Sequence, residues 1–364
     1  MIIFAMESSC DETAAAVVRA EEGRFEVLSD IVSSQIPIHA LYGGVVPEIA
    51  SRAHCEAVTN VARQAVDQSG IALSDVDAVA VTFAPGLIGS LLVGVSFAKA
   101  LASSLNVPLI PVDHIKGHVA AAYVEHPEVK PPYLALVVSG GHTSLYHVTD
   151  WNTFEEIGGS RDDACGEAFD KVGRVMGLPY PGGAAMDRLA ADWFALEAEG
   201  RKNSFHFPSP AVADESFDFS FSGLKTAVIN AIHNEKQKRK TEELPDDIRI
   251  EIAGAFTKTV TDGIGKKLAA AIRETGADTL VLAGGVAANS HLRRAVEQVC
   301  CRRKTAFAVP SLRLCGDNAV MIAAAGYYSF LGGIRADSSL NAYASDEGSA
   351  DYLASLNHEN HTDL

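Results

Sequence analysis

The chain reads as an α/β protein built from two related domains. Three observations predict this: short apolar runs at the N-terminus with the spacing of a strand meander, an alternation of helical and strand-like segments after them, and a return of the opening pattern roughly 130 residues downstream. Its 364 residues also suffice for two domains at roughly 100–200 residues each.

Ile2–Met6, Thr13–Arg19 and Phe25–Val32 are the apolar runs, and the first two are joined by the polar turn Glu7-Ser8-Ser9-Cys10-Asp11-Glu12, giving a hairpin extended into a meander. The periodic segment from Pro47 to Gln68 has proline near its start and Gly70 just past its end, the asymmetry of a helix. Asp77–Phe83 is a buried strand, Ala84-Pro85-Gly86 a turn, Leu87–Leu105 a helix of small residues, and Pro108–Val112 another strand, with Asp113 placed to cap the next helix. The prolines of His126-Pro127-Glu128-Val129-Lys130-Pro131-Pro132 favour extended chain and mark a linker. The pattern then restarts with Tyr133–Val138, the turn Ser139-Gly140-Gly141-His142 and Thr143–Val148. Two such turns suggest two domains facing each other across a cleft, each offering a small-residue turn to one ligand. Backbone N–H groups at Gly140 and Gly141, with the hydroxyls of Ser139 and Thr143, suit a phosphate. Asp278–Ala283 is a further strand, running into Gly284-Gly285-Val286-Ala287-Ala288-Asn289 and a helix from about Ser290, a junction at which a flat ligand can approach the backbone.

With 48% hydrophobic and 21% charged residues the chain is no disordered acidic polymer. Its net charge of −16 argues against holding nucleic acid through bulk charge, because that affinity comes from Lys and Arg displacing counterions. The distribution is uneven, however. Residues 1–182 carry −12 and residues 183–364 only −4, and six of the acids in the second half follow Arg335, where there is no Lys or Arg. A polyanion is therefore expected to meet the C-terminal half. Six scattered cysteines without a CxxC pair write neither a disulfide framework nor a zinc ribbon and fit a reduced cytoplasm. The run Met1-Ile2-Ile3-Phe4-Ala5-Met6 reads as a strand and not as a signal peptide. Leu87–Leu105, interrupted by Gly89, Ser90, Gly94, Ser96 and Lys99, reads as too polar to span a bilayer.

His114 and His118 stand four apart on the helix that Asp113 opens, so both imidazoles project from one face within reach of one ion. A third ligand must come from elsewhere. Asp317, at a loop-to-helix junction in Leu314-Cys315-Gly316-Asp317-Asn318, is the first choice, with Asp11, Asp170 and Asp187 competing. The spacing invites a metalloprotease reading, but Ile115 occupies the place where that chemistry needs a Glu general base.

Taken in order, Glu7-Ser8-Ser9-Cys10-Asp11-Glu12-Thr13, Tyr42-Gly43-Gly44-Val45-Val46-Pro47-Glu48, Pro85-Gly86-Leu87, His114 with His118, Ser139-Gly140-Gly141-His142-Thr143, Phe169-Asp170-Lys171, Tyr180-Pro181-Gly182-Gly183, Phe219-Ser220-Phe221-Ser222-Gly223-Leu224-Lys225 and Gly284 to Asn289 make the chain resemble the bacterial tRNA N6-adenosine threonylcarbamoyltransferases across about residues 1–335. The resemblance implies the ASKHA (actin and sugar-kinase) fold, an α/β architecture of two related RNase H-like domains around a central cleft. It places one domain at 1–126, joined by a C-terminal helix at about 317–345, and the other at 127–316; the acidic residues 346–364, which the resemblance does not cover, are expected to form a flexible tail. It implies transfer of a threonylcarbamoyl group from threonylcarbamoyl-AMP to N6 of the adenosine beside the anticodon, in tRNAs that read codons beginning with A.

By the same resemblance His114, His118 and Asp317 hold a divalent metal, iron (Fe2+) first and zinc (Zn2+) second. Val137, Val138, Ser139, Gly140, Gly141, Asp170, Gly183, Asp187 and Asn289 bind the donor, and Asp11 and Glu12 serve activity, with proton acceptance from the attacking amine as their expected role. Implied partners are tRNA, a smaller paralogous ASKHA protein (TsaB) and an ATPase (TsaE), in the cytoplasm and with no membrane. The helix Leu87–Leu105 suits the pairing surface through the close approach that Gly89 and Gly94 permit. The basic residues Lys236, Lys238, Arg239 and Lys240, with Arg293, Arg294, Arg302, Arg303 and Lys304, are where an anticodon arm is expected. The alternative from another class is an ATP-driven conformational module of the same fold, which has no need of a metal-binding His pair; a metalloprotease is a third.

Overall fold

The structure, a computed structural model, describes residues 1–345 and positions 352, 353 and 356, so most of the tail at 346–364 lies outside the described residues. In chain order the elements are β1 (Ile2–Glu7), β2 (Glu12–Glu21), β3 (Arg24–Ser34), α1 (Ile36–His39), α2 (Pro47–Ser69), β4 (Ala78–Ala84), α3 (Ile88–Leu105), β5 (Leu109–Asp113) and α4 (His114–Glu125). There follow β6 (Tyr133–Val138), β7 (Thr143–Asp150), β8 (Thr153–Gly159), α5 (Cys165–Val175), α6 (Gly182–Ala198), α7 (Ser222–Arg239), α8 (Asp246–Thr275), β9 (Thr279–Ala283), α9 (Ser290–Arg303), β10 (Ala306–Ala308), α10 (Leu312–Cys315) and α11 (Ala319–Leu331). The chain divides into two compact units, Met1–Lys130 with Asp150–Thr153 and Pro310–Leu364, and Pro131–Thr149 with Phe154–Val309.

Unit one is a five-stranded sheet in the order β3-β2-β1-β4-β5, with β1, β2 and β3 antiparallel and β1, β4 and β5 parallel. Alternate residues point to opposite faces of a strand, and both faces here are apolar because both are covered. Phe4, Met6, Val17, Val79, Val81 and Phe83 share one core with Val58, Val61 and Ala65 of α2 and with Leu91, Val95 and Ala98 of α3. On the other face Gly326 of α11 lies so close that a Cβ there would be 2.8 Å from Ala80 Cβ, and Gly117 of α4 meets Ile322 of α11 as closely. Small residues thus let α4 and α11 seat deeply on the sheet and against each other. Burial against a covered sheet on this scale, at about 25 cal/mol per Å² of apolar surface, is the dominant favourable contribution to the unit's stability.

Two expectations are corrected by the fold. α3 has a mean hydropathy of 1.6 over its 18 residues, long and apolar enough by length and composition to cross a membrane, so the interrupting polar residues do not make it too polar. What marks it as a core helix is its place, with Leu91, Val95, Ala98 and Ala102 buried in unit one. Of the stretch 317–345 expected as helix, α11 takes only Ala319–Leu331; Gly333, at φ +83, accommodates the left-handed turn that stops it.

Unit two has the sheet order β10-β9-β6-β7-β8, in which β6 pairs antiparallel with β7 and parallel with β9, and β9 parallel with β10. Reading outward from β1 and from β6 gives one topology twice. The turn between β6 and β7 is therefore the counterpart of the turn between β1 and β2, and the repeat seen in the sequence is a repeat of fold.

A candidate metal centre at the ends of three parallel strands

β1, β4 and β5 lie side by side and end at Glu7, Ala84 and Asp113, and ligands of such sheets gather beyond the carboxyl ends of the strands. Asp113 does what its position predicts: its Oδ1 accepts from the backbone N–H of Ile115 and Lys116 at 2.9 and 3.1 Å, opening α4 at His114. One helical turn on, the His118 ring centroid is 4.5 Å from that of His114. The third member is Asp317, in the loop between α10 and α11: its Oδ1 is 3.6 Å from His114 Nε2 and 3.3 Å from His118 Nε2.

The ligand atoms of these three residues lie within 4.8 Å of one another, so the group could hold a metal ion. Its donors, two imidazoles and a carboxylate, suit zinc or ferrous iron, and ligands bound tetrahedrally at about 2.0 Å stand ~3.3 Å apart. His118 supplies an independent sign of fit. It is 1% exposed, and neither ring nitrogen makes a hydrogen bond, a costly state for a buried polar group that a cation would relieve. Asp11, Asp170 and Asp187, the competing third ligands, are not part of this group.

Glu7, fully buried, faces the group from behind. Its Oε1 accepts from Ser9 N–H and its Oε2 from the Thr82 hydroxyl, while Oε2 lies 3.1 Å from His114 Nδ1. Burial opposes ionisation of Glu7, but the His114 charge and hydrogen bond, together with Thr82, prevail and hold the carboxyl below its ordinary range. Burial likewise disfavours an imidazolium at His114; Glu7 and Asp317 outweigh it and push the ring up to about 9. A cation entering near neutral pH therefore displaces a proton.

The turn between β1 and β2 is fastened from several sides. Ser8 Oγ donates to Ser90 O, Leu87 N–H to Ser9 O and Gln35 N–H to Asp11 O. His54 of α2 spans it, with Nδ1 2.7 Å from Thr13 Oγ1 and Nε2 3.0 Å from Cys10 O. A carbonyl only accepts, so Nε2 carries the proton, and burial keeps this ring in its neutral form. Asp11 is 8% exposed and Glu12 accepts from Ser34 Oγ at 2.9 Å. Burial, then the Asp317 and Asp11 carboxylates, push Glu12 up to about 9. Burial and the same carboxylates hold the Cys10 thiol well above its usual value, which argues against a nucleophilic thiolate.

In unit two the donor-binding expectations separate into residues that the fold itself employs and residues that it does not. Ser139 N–H donates to His142 O and Ser139 Oγ accepts from His142 N–H, closing the turn after Val137 and Val138. Asp170 Oδ1 accepts from Gly182 N–H at 2.7 Å. Asp187 accepts from Ser290 N–H at 3.0 Å, and the Asn289 side chain caps α9 by accepting from His291 and Leu292 N–H. By contrast, a Cβ at Gly140, Gly141, Gly183 or Gly285 would meet nothing within 4 Å. Neither φ nor packing inside the chain demands glycine there. Gly166 and Gly284 are different: a Cβ at either would fall 2.5 Å from Ser139 O or Val138 O, and Gly284 sits at φ +91, so these two seat the turn against α5 and the end of β9.

The basic residues also lie in unit two. Lys236, Lys238 and Arg239 form the last turn of α7 with Lys240 as its C-cap, and Arg302 and Arg303 end α9, where cations complement the helix dipole. Several are engaged within the chain: Arg239 and Lys238 pair with Glu235, and Arg293 donates to Ala287 O. Arg294, Lys238 and Lys240 are exposed.

The chain matches the family model described as TsaD: tRNA N6-adenosine threonylcarbamoyltransferase over residues 26–324. It is 46% identical over 342 residues to the protein of that name from Clostridioides difficile, covering 94% of this chain and 97% of that one. To its namesake from Clostridium perfringens it is 48% identical over 341 residues, covering 94% and 96%. Among solved structures, full-length HypF in a phosphate- and nucleotide-bound form is similar in fold at 13% identity, with a TM-score of 0.61 over 91% of this chain and 46% of that one. The two units with one repeated topology are those of the ASKHA fold, and the chain belongs to the tRNA N6-adenosine threonylcarbamoyltransferase family.

Proposed function

We propose that this chain transfers the threonylcarbamoyl group of threonylcarbamoyl-AMP to N6 of the adenosine beside the anticodon, in tRNAs that read codons beginning with A. The observation that carries the reading is the match to that family along nearly the whole chain. In the reaction the amine attacks the carbonyl carbon of a mixed anhydride, the bond from that carbon to the phosphate oxygen breaks, AMP departs and N6 loses a proton. A divalent ion held by His114, His118 and Asp317, Fe2+ first and Zn2+ second, supplies Lewis-acid polarisation where negative charge develops. Asp11 and Glu12 are assigned the proton from N6, and the backbone of Val137–Gly141 with Asp170, Gly183, Asp187 and Asn289 the donor.

The open space at Gly140, Gly141 and Gly183 supports the donor assignment. Gly141→Ala is expected to change unfolding stability by less than ~0.5 kcal/mol while weakening donor binding by about tenfold or more. Isothermal titration beside thermal unfolding measures both.

tRNA is assigned to Lys236, Lys238, Arg239 and Lys240 with Arg293 and Arg294. Reversing the charges at 236–240 should weaken tRNA binding and flatten its salt dependence, by about 0.9 in log–log slope for each phosphate no longer neutralised, with donor affinity intact. A lone chain of charge −16 binds RNA weakly by this logic, so protein partners help: a smaller ASKHA paralogue of the TsaB type and an ATPase of the TsaE type, all in the cytoplasm. Gly89 and Gly94 of α3 serve packing within unit one and not a partner, since a Cβ at either would clash with Ser51 Oγ or Ser8 Oγ; the surface assigned to the paralogue is instead the open apolar hollow of about 480 Å³ that Cys55 and Val58 of α2 and Leu92, Val93, Ser96 and Phe97 of α3 line.

Transfer from isolated threonylcarbamoyl-AMP to unmodified tRNA, followed by nucleoside mass spectrometry with and without those partners, tests the reading. Modified adenosine is the expected product; peptide cleavage with no modified nucleoside would sink it.

A further inference from the structure

We propose that Glu7 is a positioning residue for the metal centre: its buried carboxylate fixes His114 as the tautomer that presents Nε2 to the ion. The inference rests on the cation-binding part of the reading above and on none of its transfer chemistry. Glu7 is the last residue of β1 and Thr82 belongs to the adjacent β4, with Met6 opposite Val81 in the parallel register. The Ser9 N–H and the Thr82 hydroxyl both donate to this carboxylate, so it is held by two rigid strands at the floor of the site. A carboxylate that already accepts from Ser9 N–H and the Thr82 hydroxyl accepts from the ring as well, and its Oε2 is 3.1 Å from His114 Nδ1; when a cation displaces one of the ring's hydrogens, Nδ1 therefore keeps its own and Nε2, on the Asp317 side, gives up its hydrogen and presents the lone pair. Ser9 Oγ, 3.2 Å from the same Nδ1, can take either role and fixes nothing by itself. The two histidines are thus unequal. His118 has no hydrogen-bonded partner on either ring nitrogen, so its tautomer is set by the ion, whereas for His114 the nitrogen that keeps its hydrogen is set by Glu7.

Glu7→Gln is nearly isosteric but reverses this logic. With the amide oxygen kept on Ser9 N–H, its NH2 donates to His114 Nδ1 and drives the hydrogen onto Nε2; turned the other way, it sets two donors against each other at Ser9. Zn2+ titration of metal-free wild type and Glu7→Gln by competition with a chromogenic chelator should show affinity reduced about 10–100-fold in the variant, with the thermal midpoint of the metal-free proteins little changed. Nitrogen NMR of the Zn2+-loaded wild type, labelled in histidine, should show His114 coordinated through Nε2 with a protonated Nδ1, a readout that does not depend on the variant folding. Zn2+ affinity of a folded Glu7→Gln within twofold of wild type, or coordination of His114 through Nδ1, would overturn the proposal. Failure of the wild type to bind Zn2+ or Fe2+ at all would instead overturn the metal assignment on which it stands.

Discussion

Asp317→Asn is expected to abolish tight metal binding and to lower threonylcarbamoyl transfer by at least about 100-fold, the scale of losing one electrostatic contact to a developing oxyanion. Asp317 is the only anionic member of the group. Its oxygen is the atom that both Nε2 positions approach, at 3.6 and 3.3 Å, so an amide there removes the charge while keeping the shape. Stability should scarcely move in the metal-free protein, because the variant loses a charge that favours the His114 imidazolium together with one that opposes ionisation of Glu7. Folding and function are therefore separable in this variant. Metal content after incubation with Fe2+, donor-to-tRNA transfer and thermal midpoint, measured on one preparation, check it; wild-type metal content would refute the assignment. The pH dependence has a definite sign. His114 is pushed up to about 9, so metal competes with a proton below that value, and wild-type affinity should rise with pH until about 9 and flatten above it.

What the sequence discloses and what it hides divide along physical lines. The Asp113 cap, the helical spacing of His114 and His118, and the turn between β1 and β2 are local, set by residues within a few positions of one another, and all are legible. Asp317 is the first choice in the sequence for its loop-to-helix junction but not a unique one, because it reaches the pair through the seating of α11 on α4 some two hundred residues away in sequence, and that seating depends on Gly117 and Gly326, which carry no motif of their own. The glycines of unit two look alike in the sequence; only space and φ tell Gly166 and Gly284, which the fold requires, from Gly140, Gly141 and Gly183, which it does not. Glu7 lies at the end of an apolar run and reads as the first residue of a polar turn, although it is the most deeply buried carboxylate at the site. The one signal that points to it is its place: an acid closing a central strand next to a predicted ligand. His54 gives no signal at all within the periodic segment that forms α2. Helices α5 to α8 are not legible as elements either, since between Trp151 and Ala277 motifs stand out but tertiary context decides the secondary structure.

Glu12 carries the second large effect, and its pH dependence distinguishes an acid–base role from a structural one. In the unfolded chain its carboxyl ionises near 4.5, whereas burial, then the charges of Asp317 and Asp11, hold it protonated in the metal-free fold up to about 9. The fold thus binds the extra proton between those values, so the stability associated with it is complete below 4.5 and is lost as pH rises toward 9. Glu12→Gln keeps a neutral group at all pH values. The metal-free variant should be more stable than wild type at pH 8 and indistinguishable at pH 4, seen as a thermal midpoint displaced by about 2–4 °C for each kcal/mol. Catalysis should go in the opposite direction. A cation held at Asp317 would cancel one of the charges that oppose ionisation of Glu12 and so favour the carboxylate form that the proposed proton acceptance from N6 requires, and an amide has no such form. Transfer from preformed donor should fall by about 10²–10⁴-fold in Glu12→Gln, with donor affinity retained. If Glu12→Gln keeps the wild-type rate and Asp11→Asn loses it, the proton goes to Asp11; if both keep it, neither carboxylate is the base. Gain in stability together with loss of rate is the pairing that a merely structural Glu12 does not produce, because a side chain whose only task is to hold the turn loses both when it is changed.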